Sequence, residues 1–213
     1  MFWATHALAA CALVALPGCG GRADDARATV QPSVASLARS GVSLEGRAAW
    51  RQHLRWPDDC EDAFQASRAG TDGGLTFTSM GDGVSLVEVV CAAGSYQPSV
   101  VRVRLVESAG GVQATTLVFP VYQSDDGRQV TMVRHTEVWG DSNVLADQRT
   151  LVVLALARQT SDCGVWTRYS LADAEPRIIE VAARLDCPTP PADPVRLSPT
   201  EPPSGWVSIS RKD

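Results

Sequence analysis

Two segments of the chain begin with Asp-Cys and end on a cysteine, and each encloses a β-branched run that contains Glu-Val. The first segment runs from Cys60 to Cys91 and the second from Cys163 to Cys187. Their similarity favours the disulfides Cys60–Cys91 and Cys163–Cys187, although four cysteines allow three connectivities. Each bond would close a loop of about 25 to 32 residues and stabilise the fold by roughly 3.5 kcal/mol in the chain-entropy model. Either one supersecondary unit is used twice, or two β-hairpins are similar by chance.

The N-terminus has the features of a signal peptide. The first 18 residues carry no Lys, Arg, Asp or Glu, and their apolar run, Ala7 to Leu16, is too short to span a bilayer. The run is followed by Pro-Gly-Cys19, which with Leu16 resembles the bacterial lipobox, where the signal is cut before a cysteine that becomes acylated. The sequence therefore predicts a signal peptide over 1–18, lipidation at Cys19 and a lipidated tether over 19–42. Ordinary secretion and a misread start are the alternatives.

A lipid on Cys19 would anchor the protein to a bacterial membrane, on its periplasmic or cell-surface side. That compartment is oxidising, so two disulfides are the default for the four cysteines that remain once Cys11 is removed and Cys19 is acylated. A zinc site is the rival interpretation of these cysteines, but no Cys-x-x-Cys pair or nearby His supports it. We therefore predict no metal and no other cofactor.

Two short helices are predicted before the β region. A helical stripe places Trp50 and Leu54 on one face of the first. The acidic run 58–62 is interpreted as the start of the second, with Asp58 as N-cap and Glu61 completing a capping box. A calcium site is the alternative, but the spacing lacks the alternate ligands, the Gly and the distal Glu of an EF-hand.

From Gly73 onward the sequence has the pattern of β-strands. Turns rich in Gly and Asp separate runs with a period of two. Val101 and Val103 alternate with Arg102 and Arg104, which predicts one apolar and one solvent-exposed face. The predicted strands are 74–80, 84–91, 99–107, 112–122, 129–139, 150–158, 164–171 and 177–186. We therefore expect an all-β antiparallel sandwich or barrel-like meander of about eight strands, with one or two short N-terminal helices.

The last segment, 188–213, is rich in proline, which excludes a helix and a central strand. We expect this segment to lie extended over the domain with Trp206 as its anchor, and a free tail is the alternative. The sequence thus divides into a signal peptide, a lipidated tether, a disulfide-stapled β domain over 43–187 and a Pro-rich C-terminal tail.

Five short motifs follow one another between about residues 50 and 187. They are Trp56-Pro-x-x-Cys60, Leu86-Val-Glu-Val-x-Cys91, Gly94-Ser-Tyr96-Gln97, Val138-Trp139-Gly140 and Asp162-Cys163-Gly164. In this order they resemble a family of exported bacterial proteins catalogued as domain of unknown function 1176, in particular its cyanobacterial versions. Gly-Ser-Tyr-Gln stands where that family often has Gly-Ala-Tyr and a polar residue. The resemblance implies export and a β-rich domain, and it assigns no catalytic residue.

Charge and histidine content limit the chemistry that the chain can perform. A net charge of −5, with acids and bases interspersed, gives no basic stripe, so nucleic-acid binding is not expected. The Gly-x-Ser-x-Gly motif of serine hydrolases does not occur. His53 and His135 remain after removal of the signal peptide and are interpreted as surface residues. Spacing singles out no pair of carboxylates, so we predict no catalytic residue.

The candidate binding residues are Tyr96, Gln97 and Trp139. Tyr96 and Gln97 lie between Cys91 and Pro98, and Trp139 closes a predicted strand. Rigid aromatic side chains at strand ends can stack on sugars or fill a pocket of a partner. The alternative is that these aromatic residues cover the open ends of the sandwich.

The sequence thus predicts a cell-envelope lipoprotein that serves as a non-catalytic binding or structural module. Its expected partners are the membrane, through the N-terminal lipid, and an envelope polymer or a protein. One alternative is an envelope hydrolase that acts on a polymer with an acidic-residue site. The other is a secreted carbohydrate-binding domain, or an inhibitor-like protein-binding domain, without a lipid.

Overall fold

The computed structural model describes residues 44–67, 73–109, 111–123 and 131–209. The predicted signal peptide, the lipidation site Cys19 and the tether lie outside the described residues. Both predicted helices are present, as α1 (Leu44–Leu54) and α2 (Asp58–Ser67). Neither helix has the length or the apolar character that is needed to cross a membrane.

Most of the remaining described residues form antiparallel strands, as predicted. These are β1 (Leu75–Gly81), β2 (Val84–Ala92), β3 (Ser99–Ser108), β4 (Gly111–Thr116), β5 (Phe119–Gln123), β6 (Thr131–His135), β7 (Glu137–Trp139), β8 (Asp141–Leu145), β9 (Thr150–Leu156), β10 (Gly164–Ser170), β11 (Arg177–Arg184) and β12 (Val207–Ser208). A short 3₁₀ helix, Ala146–Gln148, lies between β8 and β9. The abundance of Val, Thr and Leu in these segments suits a pleated surface that is buried on at least one face.

The strands form two open five-stranded sheets and a separate hairpin. In the first sheet β1, β2, β3 and β4 are neighbours in that order. Strands β4 and β7 pair with the same edge of β3, β4 along 103–108 and β7 along 99–101. In the second sheet the order is β12, β11, β10, β9 and β8. The hairpin β5–β6 is inserted in the chain between β4 and β7.

Two of the predicted strands are wrong in extent. The predicted strand 112–122 is divided between β4 and β5, because the chain leaves the first sheet at Leu117, and 129–139 contains both β6 and β7. Strands β8 and β12 are not among those predicted. Gly140, with φ 133°, turns the chain from β7 directly into the second sheet, and a Cβ there would lie 2.7 Å from the carbonyl oxygen of Leu154. Only glycine accommodates this close approach without strain.

The two sheets pack face to face, so the sandwich is the alternative that is observed. The core between them contains Leu86, Phe119, Val138, Leu151, Val153 and Tyr169. Helices α1 and α2 cover the outer face of the first sheet, where Leu54 and Trp56 pack with Val87 and Val89. The C-terminal segment covers the outer face of the second sheet. Both faces of each sheet are therefore covered at the centre, where β2 and β9 have buried residues on both sides.

The C-terminal segment lies extended over the domain with Trp206 as its anchor, as predicted. Trp206 is 8% exposed and packs with Leu154 and Trp166 on the second sheet. The indole nitrogen of Trp166 donates a hydrogen bond to the carbonyl oxygen of Ser198, at 3.0 Å. Strand β12 then pairs with β11. A free tail is excluded for the part of this segment that the structure describes.

Both predicted disulfides are present. Cys60–Cys91 joins α2 to β2, whereas Cys163–Cys187 joins the two ends of the hairpin formed by β10 and β11. The first cysteine lies on a helix in one segment and directly before a strand in the other. The similarity between the two segments therefore does not extend to the elements that carry these cysteines. Two disulfides indicate an oxidising, non-cytoplasmic environment.

The prediction that the arginine face of β3 is solvent-exposed is wrong for Arg102. Its side chain is buried between the two sheets, where Nε and a terminal nitrogen donate to Oε1 of Glu88 at 3.0 and 2.8 Å. Ser142 of β8 donates to the same oxygen at 3.1 Å. A buried guanidinium is tolerated here because Glu88 lies directly opposite in the register of β2 and β3.

The predicted capping box at the start of α2 is also wrong. The Glu61 carboxylate points inward and accepts hydrogen bonds from Nε of Arg47 (2.8 Å), from Trp56 (3.0 Å) and from Gln65 (2.8 Å). The Arg47 guanidinium lies 3.7 Å from the centroid of the Phe64 ring. Glu61 therefore neutralises a buried cation, which a cap position at the helix surface would not allow.

Candidate functional site

The loop between β2 and β3 has a defined conformation. It begins after Ala92, next to Cys91, which is fully buried and bonded to Cys60, and it turns at Gly94, where φ is 64°. A Cβ at Gly94 would lie 2.0 Å from the carbonyl oxygen of Gln97, so the turn requires glycine. The loop ends at Pro98, whose carbonyl oxygen accepts a hydrogen bond from the amide of Gly140 at 3.0 Å.

Gln97 fixes this loop to the second sheet. Its side chain is buried, and its amide nitrogen donates to the carbonyl oxygen of Leu154 while its amide oxygen accepts from the backbone nitrogen of Leu156, both at 2.7 Å. The pairing of β8 with β9 ends at Leu154. The Gln97 amide thus continues the ladder of β9 past the end of β8. Gln97 lies among the candidate binding residues of the sequence, but its place in the structure is that of a positioning residue.

Tyr96 and Trp139 remain exposed above this support, and we call them together the aromatic edge. Tyr96 is 46% exposed and Trp139 is 52% exposed. The Tyr96 hydroxyl donates to the carbonyl oxygen of Leu156 at 3.5 Å. The six-membered ring of Trp139 lies against Gly94, since a Cβ built there would be 3.3 Å from the ring. Both aromatic side chains therefore belong to the same junction between the loop, β7 and the end of β9.

A buried hydroxyl lies beside the aromatic edge. Ser99 is directly opposite Trp139 in the register of β3 and β7, and the two side chains point to the same face of the sheet. Ser99 is fully buried, and its hydroxyl is among the buried polar atoms of the described chain that have no hydrogen-bond partner. A buried polar atom without a partner is uncommon in folded proteins, so this junction is polar beneath its aromatic surface.

The buried acids of the described residues are committed to arginines. Burial opposes the charge of Glu61, but hydrogen bonds from Gln65, Arg47 and Trp56 outweigh it and lower its pKa. The hydrogen bond from Arg158 lowers the pKa of Asp162 by more than burial raises it. Further hydrogen bonds from Thr160 and the Ala192 amide help to hold this pKa well below its usual range. These carboxylates are ionised at neutral pH and are not suited to general acid catalysis.

Other titratable groups have similarly ordinary places. His53 and His135 are exposed at the surface, and burial raises the pKa of Tyr169 to about 12. Across the described ranges, no three side chains of His, Cys, Asp or Glu converge as metal ligands would. A depression at the other end of the sandwich, lined by Met80, Leu86 and Arg104, has an interior volume of about 10 Å³, which is room for about one water molecule.

No family model, curated protein or solved structure matches the chain. The resemblance to domain of unknown function 1176 therefore stays a prediction from the short motifs. Those motifs include both parts of the aromatic edge and the supporting Gln97, and the structure brings these three residues together at one junction.

Proposed function

We propose that this protein is an exported lipoprotein of the cell envelope that binds an envelope polymer or a protein partner and does not turn it over. The observation that carries the proposal is the aromatic edge, in which Tyr96 and Trp139 are half exposed on a loop that Gln97 fixes to the second sheet. The lipid at Cys19 and the periplasmic or cell-surface location are part of the proposal.

Aromatic side chains on a rigid support suit binding for an energetic reason. Association costs free energy when loops and side chains become ordered, at about 0.5 to 1.5 kcal/mol for each immobilised side chain. The backbone on both sides of Tyr96 and Trp139 is already fixed, by the turn at Gly94 and by the pairing of β7 with β3. Large, rigid aromatic residues are also the residue types that contribute most at binding hot spots.

The absence of turnover is supported by the ionisable groups of the described residues. The buried carboxylates Glu61 and Asp162 and the half-buried Glu88 all bind arginine side chains, and the two histidines are exposed. A polymer hydrolase with an acidic site needs one carboxyl group whose pKa is raised, so that it donates a proton near neutral pH. The two buried carboxyls whose pKa departs from its ordinary value are both shifted downward.

The proposal is tested by co-sedimentation of the purified full-length protein with insoluble envelope polymers, peptidoglycan first. Wild type should sediment with its ligand, and the double variant Tyr96→Ala/Trp139→Ala should bind at least about tenfold more weakly, as expected for two hot-spot residues. Met132→Ala is the matched control, because Met132 is a half-exposed apolar residue on β6. Equal sedimentation of wild type and the double variant would contradict the proposal. Release of soluble fragments from the polymer would favour the hydrolase instead.

A further inference from the structure

We propose that the aromatic edge recognises an organic cation, an ammonium or quaternary ammonium group, by cation–π contact with Trp139 and Tyr96 and by the carboxylate of Glu137. This inference rests on the proposed function, because it names the chemical class of the group that the same surface binds. It adds Glu137 to the site as the residue that determines the charge of the ligand.

Glu137 lies beside Trp139 on the same face of the first sheet. The two residues are two apart on β7, and side chains at this spacing point to the same side of a strand. Their partners in the register of β3, Val101 and Ser99, confirm this placement. The Glu137 side chain is half-buried, and at this spacing the Cα atoms of Glu137 and Trp139 are about 7 Å apart.

Glu137 forms no ion pair with a Lys, Arg or His side chain of the described residues. The ion pairs there involve Glu61, Asp58, Glu88, Glu175, Asp82, Asp162, Glu180 and Asp173. Arg158 follows the end of β9, near Tyr96, but it is bonded to both oxygens of Asp162 and to the Pro188 carbonyl. The exposed Asp141 follows Trp139 by two residues and adds a second negative charge in that part of the chain.

An aromatic surface next to an unpaired carboxylate discriminates ligands by charge. The faces of Trp and Tyr rings carry negative potential and attract a cation within about 6 Å of the ring centroid. A carboxylate at the rim adds Coulomb attraction, and salt weakens that attraction. A neutral group of the same shape would keep the apolar contact and lose both electrostatic contributions. An anionic group would in addition be repelled.

Three small probes of nearly equal shape test this preference. Choline carries a quaternary nitrogen, 3,3-dimethylbutan-1-ol replaces that nitrogen by carbon, and 3,3-dimethylbutanoate is an anion. Each is titrated into the full-length protein while the indole N–H signal of Trp139 is followed by NMR. Choline should bind about tenfold more tightly than the neutral alcohol, as expected for about 1.4 kcal/mol of cation–π and carboxylate attraction. The anion should bind most weakly.

Variants assign the preference to individual residues. Glu137→Gln should reduce the affinity for choline several-fold and leave the affinity for the neutral alcohol unchanged. Glu201→Gln, which removes an exposed carboxylate in the C-terminal segment, is the matched control and should change neither. For Trp139→Ala the Tyr96 ring signals are followed instead, and both affinities should fall.

The inference is overturned if choline binds no more tightly than the neutral alcohol, or if Glu137→Gln leaves the difference between them intact. In either case, co-sedimentation with an envelope polymer that still depends on Trp139 leaves the proposed function standing with a neutral ligand. Loss of the dependence on Trp139 in both assays overturns the proposed function as well.

Discussion

The side chain of Gln97 joins the loop between β2 and β3 to the second sheet through two hydrogen bonds. Its amide binds the carbonyl oxygen of Leu154 and the backbone nitrogen of Leu156 on β9. Among the described residues, no strand pairs with this part of β9 on that side, because β8 begins only after the turn at Gly140. Backbone groups at such a junction would otherwise be buried without partners. The position of Tyr96, the residue before Gln97, depends directly on this contact.

The Gln97→Ala substitution should lower the free energy of unfolding by about 2 kcal/mol, because it leaves the Leu154 carbonyl and the Leu156 amide without partners. Urea denaturation followed by circular dichroism measures the change. Gln113→Ala is the control, since Gln113 is exposed on β4 and its loss should cost less than about 0.5 kcal/mol. Identical midpoints for the two variants would show that Gln97 does not support the loop.

The alternation of β3 could be predicted from the sequence, but the environment of each face could not. A period of two separates Val101 from Arg102 and says nothing about what lies against either face. Arg102 is buried because β2 places Glu88 opposite it and β8 brings Ser142 to the same oxygen. Both partners are set by register and by sheet packing, which the local pattern does not contain.

At the scale of elements, the C-terminal segment is held at its start by one carboxylate. Asp162 binds Arg158 and Thr160 and also accepts a hydrogen bond from the backbone of Ala192, at 2.9 Å. Arg158 donates in turn to the Pro188 carbonyl. The segment therefore follows the second sheet from the disulfide at Cys187 onward, and Val195, Leu197 and Trp206 pack on the apolar outer face of that sheet.

This attachment should be sensitive to acid. The pKa of Asp162 is lowered in the folded state, so its stabilising effect is complete above its ordinary pKa of 3.8 and is lost as the pH falls through the folded-state value. The melting temperature of wild type should therefore decrease as the pH falls below about 4. Asp162→Asn should melt lower at neutral pH and lose less on acidification, whereas Asp186→Asn, at an exposed site, should follow wild type. Parallel pH profiles for Asp162→Asn and wild type would contradict this role.

The boundaries of an element could be predicted where the sequence has a local signal for its start or end. They could not be predicted where a strand-like sequence continues across two strands. The acidic first turn of α2 marks its start, and the similarity between the two cysteine segments favours the disulfide pairing that is observed. The run 112–122 has no Gly or Asp between β4 and β5 to mark a turn, although the chain leaves the first sheet within it. Likewise, the aromatic residues Tyr96 and Trp139 could be selected from the sequence as candidates. The role of Gln97 could not be predicted, because its hydrogen-bond partners are 57 and 59 residues away in the chain.

At the scale of the whole described molecule, each sheet is bonded to the layer that covers it. Cys60–Cys91 ties the helices to the first sheet, and Cys163–Cys187 lies where the C-terminal segment leaves the second. Each disulfide restricts the unfolded chain by closing a loop in it. In the chain-entropy model this stabilises the folded state by roughly 3 to 4 kcal/mol. A protein built in this way is suited to the oxidising environment that its disulfides indicate.

Replacement of Cys19 by Ala tests the proposed lipid anchor. In a bacterial host, wild type should fractionate with membranes and partition into detergent, because a diacylated cysteine anchors stably, and Cys19→Ala should appear in the soluble exported fraction. Cys11→Ala is the control, since Cys11 lies within the predicted signal peptide. A Cys19→Ala protein that stays in the membrane fraction would contradict lipidation at this residue.

The choice between a binding surface and a cover for the core rests on the free energy of unfolding of Tyr96→Ala, measured beside Trp206→Ala. Trp206 is 8% exposed and its loss should cost about 3 to 5 kcal/mol, as for other buried aromatic residues. Tyr96 is 46% exposed and its loss should cost no more than about 1 kcal/mol. A cost for Tyr96→Ala as large as that for Trp206→Ala would show that the aromatic edge stabilises the fold, and would contradict its assignment as a binding surface.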